Sequence, residues 1–176
     1  MSAAVIVTGI PGAGKTTVAC ALAQTWERGA HIEADALQGM IVAGGLWPDG
    51  EPRDEAMAQL HLRTRNAAGL AANFVDAGIV AVVDDILVVR ERLAIYTETL
   101  APRPVDLVVL APAVEVALAR DAGRDKHVGE RWIHLDAEQR EALGGIGLWL
   151  DSADLDVPQT VAAIQAGLAA GQARVG

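Results

Sequence analysis

The sequence predicts a three-layer α/β/α domain with a five-stranded parallel sheet at its centre. Three observations carry that prediction. Apolar runs of strand length alternate with longer stretches of helical periodicity, as in parallel strands joined by helical crossovers. The first such run leads at once into a glycine-rich turn and then a helix-forming stretch. The chain has 176 residues, a length that suits one domain whose core removes roughly 70% of the unfolded surface from water.

The elements follow in order. Ala4–Thr8 is a short β-rich run and reads as a buried strand. Lys15–Arg28 reads as a helix stopped by Gly29. His31–Ala34 is a second strand, and Ala36–Val42 a helix broken at Gly44-Gly45. Asp54–Ala77 has a long helical pattern, with Asp54 as N-cap and Gly78 as stop. Ile79–Val83 is a third strand, and Arg90–Leu100 a helix ended by Pro102 and Pro104. Val105–Leu110 is a fourth strand, followed by a helix over Ala113–Ala122. Gly147–Leu150 is a fifth strand, and Pro158–Ala170 a closing helix with proline in its first turn. There is no linker, repeat or low-complexity tract, so 1–176 reads as one domain, with a small lid around 120–135.

Composition narrows the function classes. Hydrophobic residues make up 52% and charged residues 21%, which excludes a disordered or fibrous chain. No apolar run nears the roughly 20 residues that span a bilayer, and the N-terminus has no signal-peptide pattern. Membrane partners are therefore not expected. The single cysteine, Cys20, excludes an internal disulfide and suits a reducing cytoplasm. A formal charge of −9 argues against duplex nucleic acid as a partner. It leaves room for a local basic pocket. Twelve arginines accompany only two lysines, Lys15 and Lys126.

Gly9-Ile10-Pro11-Gly12-Ala13-Gly14-Lys15-Thr16 matches G-x-x-x-x-G-K-[ST] in full, between a predicted strand and a predicted helix. Such a P-loop curls so that successive backbone N–H groups face one anion, and the helix N-terminus adds partial positive charge. The candidate nucleotide-binding residues are thus Gly9, Pro11, Gly12, Ala13, Gly14, Lys15, Thr16 and Thr17. Lys15 would reach the β- and γ-phosphates, and the Thr16 hydroxyl would join a Mg²⁺ shell. The expected fold is that of the P-loop NTPases, and the expected cofactors are ATP and Mg²⁺. Two look-alikes fail. A dinucleotide fingerprint would need a third glycine where Thr17 stands, and Asn73-Phe74-Val75-Asp76 lacks the lysine of a guanine-reading motif.

Ligands of open parallel sheets sit at the carboxyl ends of strands. Asp84, at the end of the third strand, is the second candidate metal ligand beside Thr16. Asp85 would share that role, contact substrate, or be a solvated turn residue. Asp35 is expected to close the second strand beside the P-loop, where a carboxylate can take the proton of an attacking hydroxyl. Its alternatives are an N-cap and an outer magnesium contact, and Glu33 is a weaker candidate on the same face. Arg120, Arg124, Lys126 and Arg131 crowd into twelve residues of an acidic chain, with His127 among them. Arg120 and Arg124 would meet charge on the transferred phosphoryl group, with a basic helix end as the alternative. The four histidines have no zinc spacing. Trp47-Pro48-Asp49-Gly50 would border an acceptor site. Arg63 and Arg65 read as a solvated helix face, or as contacts to an acceptor.

With these residues in place, the chain resembles small P-loop kinases of the chloramphenicol phosphotransferase-like group. The resemblance rests on Gly9–Thr17, Glu33-Ala34-Asp35, Val82-Val83-Asp84-Asp85-Ile86 and the stretch Ala119–Lys126. It implies a five-stranded parallel sheet, Asp35 as base for the acceptor hydroxyl, and Arg120 and Arg124 in a lid over ATP. It also implies adenine near Asp151-Ser152-Ala153-Asp154. The layout is similar to polynucleotide kinase too, but Gln38 stands where that family carries an arginine. The resulting expectation is transfer of the γ-phosphate of ATP to a hydroxyl of a small molecule, an antibiotic or nucleoside among the candidates. Alternatives are a P-loop ATPase or nucleotide-binding switch, a non-catalytic nucleotide-binding module, and a polynucleotide 5′-hydroxyl kinase. Oligomeric state is left open.

Overall fold

In the computed structural model the described residues are 3–122 and 134–176. Twelve elements follow one another among them: β1 (Ala4–Thr8), α1 (Lys15–Ala23), β2 (Gly29–Glu33), α2 (Ala34–Gly39), α3 (Arg53–Asp76), β3 (Val80–Asp84), α4 (Arg90–Leu100), β4 (Val105–Leu110), α5 (Val114–Ala122), α6 (His134–Leu143), β5 (Leu148–Leu150) and α7 (Val157–Ala169). The strands form one sheet in the order β2-β3-β1-β4-β5, and every pair is parallel. The chain leaves β1 for the far edge and returns through β3, so strand order reverses at β1. A crevice for ligands opens at such a reversal.

The pleat divides the core. Successive strand residues face opposite sides, and each side is apolar. Ala4, Ile6, Ala81, Val83, Leu107 and Val109 pack with residues of α3 and α4. Val5, Val7, Val82, Val108 and Leu110 pack with α1, α5 and α7. All six residues of β4 are buried, as expected of a strand covered on both faces. Each fully buried Val or Leu there contributes about 1.5–3 kcal/mol.

Several boundaries differ from the sequence reading. The first helix stops at Ala23 rather than Arg28. Thr25 donates its hydroxyl to the Leu22 carbonyl (2.8 Å), turning the chain at the helix end. Gly29 is therefore not a helix stop but the first residue of β2, lying so close to α1 that an added Cβ would meet the Ala23 oxygen at 2.0 Å. β2 ends at Glu33, and α2 begins at Ala34, two residues earlier than expected. The N-cap of α3 is Pro52, with Asp54 inside the first turn.

Helix α6 is an element the sequence reading does not contain. Its buried face is Leu135, Gln139 and Leu143, a helical stripe with a polar residue at its centre. Gln139 is satisfied there: its Nε2 donates to the Leu87 carbonyl (2.6 Å) and to the Thr8 hydroxyl (3.2 Å). The Thr8 oxygen also accepts from the Leu87 N–H (2.8 Å). One buried hydroxyl at the end of β1 thus joins the β3–α4 loop and α6 just before the P-loop.

Of the described residues, no helix is long and apolar enough to cross a membrane. The proposed lid over 120–135 falls mostly on residues 123–133, outside the described residues.

Removing the Thr8 hydroxyl tests this junction. Thr8→Val keeps the shape but leaves two buried donors without their acceptor, and should cost about 1–3 kcal/mol. Urea unfolding of both proteins measures it.

Candidate functional site

The P-loop holds its shape because glycine stands where a side chain would collide. Gly12 has φ 81°, and a Cβ on it would meet the Ala117 carbonyl oxygen at 2.1 Å. At Gly9 a Cβ would meet the Leu110 oxygen at 2.4 Å. The loop is thereby wedged between the end of β4 and α5. Within it, the Ala13 N–H donates to the Ile10 carbonyl (3.1 Å). Gly14 is the N-cap of α1 at φ 91°. Ala13 is buried, Pro11 and Gly14 are half-buried, and Thr17 is exposed. The Lys15 ammonium donates to the Ile10 carbonyl (3.2 Å), so it lies against the loop.

Thr16 and Asp84 are brought together. The Thr16 hydroxyl donates to Asp84 Oδ1 (3.3 Å), while Asp84 Oδ2 lies 2.6 Å from His31 Nε2 on β2. A hydroxyl and a carboxylate at the mouth of an anion nest are hard oxygen donors, the chemistry Mg²⁺ prefers. Among the described residues no cluster of three His, Cys, Asp or Glu could hold a metal. The donor set therefore fits an ion completed by phosphate oxygens and water, which is how Mg²⁺ is held beside nucleotides.

The adjacent carboxylate points the other way. Asp85 follows Asp84 directly, and the pleat sends its side chain to the α3–α4 face. There it is fully buried and accepts from Arg63 Nη2 (2.8 Å), Arg92 Nη2 and the Tyr96 hydroxyl (3.0 Å). Arg92 also donates to the Ile86 carbonyl and to the Thr64 hydroxyl (2.9 Å). Asp85 is neither a solvated turn residue nor a group open to a ligand.

Arg63 links this buried centre to Asp35. Its Nη1 donates to Asp35 Oδ1 at 2.9 Å. Its side chain is 4% exposed, so it is not part of a solvated helix face. The Asp35 carboxylate is 57% exposed. Asp35 does not close β2, as the sequence reading has it; it sits in the first turn of α2, whose N-cap is Glu33 without a side-chain cap. Asp35 and Glu33 therefore do not share a strand face. One turn along α2, Gln38 donates to Gln59 (3.3 Å) and to the Leu46 carbonyl (2.7 Å). Gln59 in turn accepts from the Leu46 N–H (2.8 Å) and donates to the Gly44 carbonyl (2.9 Å). These two amides staple the 40–50 loop to α2 and α3.

On the other flank, exposed Arg120 donates through Nη2 to the carbonyls of Ser152 (2.8 Å) and Ala153 (3.0 Å). It thus contacts the loop after β5. Arg124, Lys126, His127 and Arg131 lie outside the described residues.

Sequence reasoning missed His31, Gln38, Gln59, Arg92 and Tyr96. One signal was available. Arg92 and the chain's single tyrosine, Tyr96, are four apart on one helix, and share a face. The pairing of Arg63 across α2 and β3 had no local signature.

This nest-and-carboxylate arrangement on a β2-β3-β1-β4-β5 sheet defines a P-loop protein, and comparison with known proteins agrees. Residues 5–143 match the family described as AAA domain, and the chain belongs to that family. Its fold is that of the small P-loop kinases. A sugar kinase from Janibacter sp. HTCC2649 superposes with TM-score 0.72 at 22% identity, covering 96% of this chain and 95% of that one. Shikimate kinase from Bacteroides thetaiotaomicron gives 0.68 at 16% identity, with coverages of 95% and 98%. A gluconokinase from Sinorhizobium meliloti 1021 gives 0.68 at 19% identity, with coverages of 97% and 93%. Among curated proteins, no sequence matches the chain.

Tyr96 supplies a pH test of the buried centre. Burial, then the Asp85 charge, push its phenol well above the ordinary 10.0. The unfolded chain releases that proton near pH 10 while the folded chain keeps it, so above about pH 10 the folded state binds more protons and stability falls as pH rises. Urea midpoints should decline above about pH 10, and Tyr96→Phe should remove that part of the decline. Phenolate absorbance, which reports one residue here, should rise only with unfolding.

Proposed function

We propose that the protein is an ATP- and Mg²⁺-dependent kinase that phosphorylates a hydroxyl of a small molecule. The observation that carries this reading is the placement of two oxygen-rich groups on either side of β3. Thr16 and Asp84 stand at the phosphate nest, and Asp35, held by Arg63, stands beyond the neighbouring strand end. A nest with a metal-suited pair beside an oriented, solvent-facing carboxylate has the parts for moving a phosphoryl group to an alcohol.

The roles follow from the contacts. The backbone from Gly9 to Thr17 grips the nucleotide phosphates, and Lys15 adds charge to the transferred group. Thr16 and Asp84 would hold Mg²⁺, which would supply positive charge to offset that of the nucleotide phosphates. Asp35 receives the hydroxyl proton as the alcohol oxygen bonds to the γ-phosphorus. The bond from that phosphorus to the bridging oxygen breaks, and ADP leaves with the electron pair. Arg63 orients Asp35 and does not itself reach solvent. Arg120, in the last turn of α5, and Arg124 are proposed to meet charge on the transferred phosphoryl group. The matched segments support kinship with the chloramphenicol phosphotransferase-like group.

One observation weakens the polynucleotide alternative. Gln38, which stands in place of that family's arginine, is buried and engaged with Leu46 and Gln59. It offers no cation to a polymer phosphate.

Two substitutions separate the two halves of the site. Lys15→Ala should lower ATP affinity or turnover by about tenfold or more, as removal of a phosphate-binding charge does. Unchanged binding and turnover in that variant would contradict the nucleotide assignment. Asp35→Asn can still accept from Arg63 but cannot take a proton. It should retain ATP binding while transfer falls by about 10²–10⁴. Near-normal transfer would make Asp35 structural. The assay is an acceptor screen read by mass spectrometry, scoring the added phosphoryl group.

A further inference from the structure

We infer that His31 sets the metal preference of the site: it ties up one oxygen of Asp84, leaves the other for a cation at the nest, and so favours Mg²⁺ over Ca²⁺. This rests on the kinase reading, which needs a divalent ion at Thr16 and Asp84, and it adds a positioning residue to that reading.

The short contact has a definite direction. Asp84 Oδ2 lies 2.6 Å from His31 Nε2. A carboxylate has no hydrogen to give, so the ring donates and its Nε2 carries the hydrogen. Bonds onto an ionised oxygen are the short, strong kind. The Asp84 side chain is 7% exposed, so water offers Oδ2 little alternative to the imidazole.

The two oxygens of Asp84 are held unequally. Oδ1 accepts from the Thr16 hydroxyl at 3.3 Å, which is long for an O–H···O bond. The grip of His31 on Oδ2 is tight, while that of Thr16 on Oδ1 is slack. Oδ1 is therefore the oxygen left to meet an ion beside the first turn of α1.

His31 is held in place by the sheet. β2 pairs with β3 so that His31 stands opposite Val82 and Glu33 opposite Asp84. Ile32 is buried on the α3–α4 side, which turns its neighbour His31 to the other side, where Val82 and Asp84 face. The imidazole reaches forward from one strand to the end of the next. Both partners of the bond thus sit on paired strands, and neither depends on a loop for its position.

The preference follows from how the two ions take carboxylates. The oxygens of one carboxylate are closer together than neighbouring ligands of an octahedral Mg²⁺. Ca²⁺ has a larger and less regular shell of about six to eight oxygens, and accepts both oxygens of one carboxylate. With Oδ2 committed to His31, Asp84 gives a single oxygen. That suits the small ion and denies the large one a chelate. Outer hydrogen-bond partners of this kind change metal affinity by about 10–100-fold when removed.

Equilibrium dialysis of labelled ADP against the full chain tests this, in saturating Mg²⁺, in saturating Ca²⁺ and in EDTA. The readout is the ratio of ADP affinity in Mg²⁺ to that in Ca²⁺, which needs no acceptor and no turnover. The wild type should bind more tightly in Mg²⁺. His31→Phe keeps a ring without the N–H, and should lower the ratio by about tenfold or more. His31→Gln can offer an amide N–H in place of Nε2, and should keep the wild-type ratio. Affinity in EDTA, which reports the nest without a metal, should be the same in all three proteins. An unchanged ratio in His31→Phe, or affinity lost equally in Mg²⁺, Ca²⁺ and EDTA, overturns the inference and leaves the kinase reading standing. ADP binding by the wild type that is absent, or indifferent to metal, overturns the kinase reading as well. Nitrogen-15 spectra of the wild type add a measurement that no substitution can disturb. The His31 ring, assigned through the bonds to its own backbone, should carry hydrogen on Nε2, and a bare Nε2 overturns the inference.

Discussion

Two neighbouring carboxylates at the end of β3 face opposite sides of the sheet, and the site is organised around that fact. Asp84 belongs to the side of Val82 and reaches Thr16 and His31. Asp85 belongs to the side of Val83 and reaches Arg63, Arg92 and Tyr96. Because strand side chains alternate, a one-residue slip of β3 would move each carboxylate to the other face. In one direction the nest would receive Val83 in place of Asp84, and in the other the two buried guanidinium groups would receive Ile86 in place of Asp85. The register of β3 against β1, which pairs Val7 with Asp84, is therefore a condition for the chemistry as well as for the core.

Energetics separate the two links that radiate from Asp85. Removing one partner of a buried ion pair costs about 3–5 kcal/mol, because the other charge stays behind in a dry setting. Asp85 with Arg63 and Arg92 is such a case. The link from Arg63 to Asp35 is different. The Asp35 carboxylate is mostly in water, and pairs of that kind contribute about 0–1 kcal/mol to stability. Its consequence is orientational. A guanidinium anchored to one buried acid, Asp85, presents a fixed N–H to Asp35, and so holds an otherwise mobile surface carboxylate in one direction. Rigidity is generated in the core and delivered to the surface through one arginine.

The sequence made the P-loop side legible and most of the Asp35 side illegible. Gly9 to Thr16 and the apolar runs of β1, β3 and β4 are local patterns: a short-range steric need for glycine, and strands buried on both faces. Asp84 could be placed because it ends such a run. Arg63 could not, since its partners lie on α2 and β3, and a helical arginine reads as solvated unless its neighbours are known. Asp35 was recognised as a candidate but placed on the wrong element, because Glu33-Ala34-Asp35 continues the alternation of a strand while the backbone already turns helical at Ala34. Helix α6 escaped for a related reason. Gln139 interrupts its apolar stripe, and the hydrogen bonds that make a buried glutamine acceptable come from Thr8 and Leu87, distant in sequence.

The same contrast bears on how a site of the proposed kind could change its acceptor without losing its reaction. The nest is wedged against Leu110 and Ala117 by steric contacts that tolerate no side chain at Gly9 or Gly12. The 40–50 loop is held chiefly by two glutamine amides bonding to backbone atoms of Gly44 and Leu46. Backbone groups are the same whatever residues carry them, so the staple constrains where the loop runs and leaves its side chains free. Met40, Val42 and Trp47 contribute little to the core from their exposed positions, and replacing them leaves the sheet and the Asp85 cluster untouched. In the proposed kinase, selectivity could thus drift on a loop anchored by main-chain contacts while the nest stays fixed by packing, which is how one scaffold comes to serve different substrates.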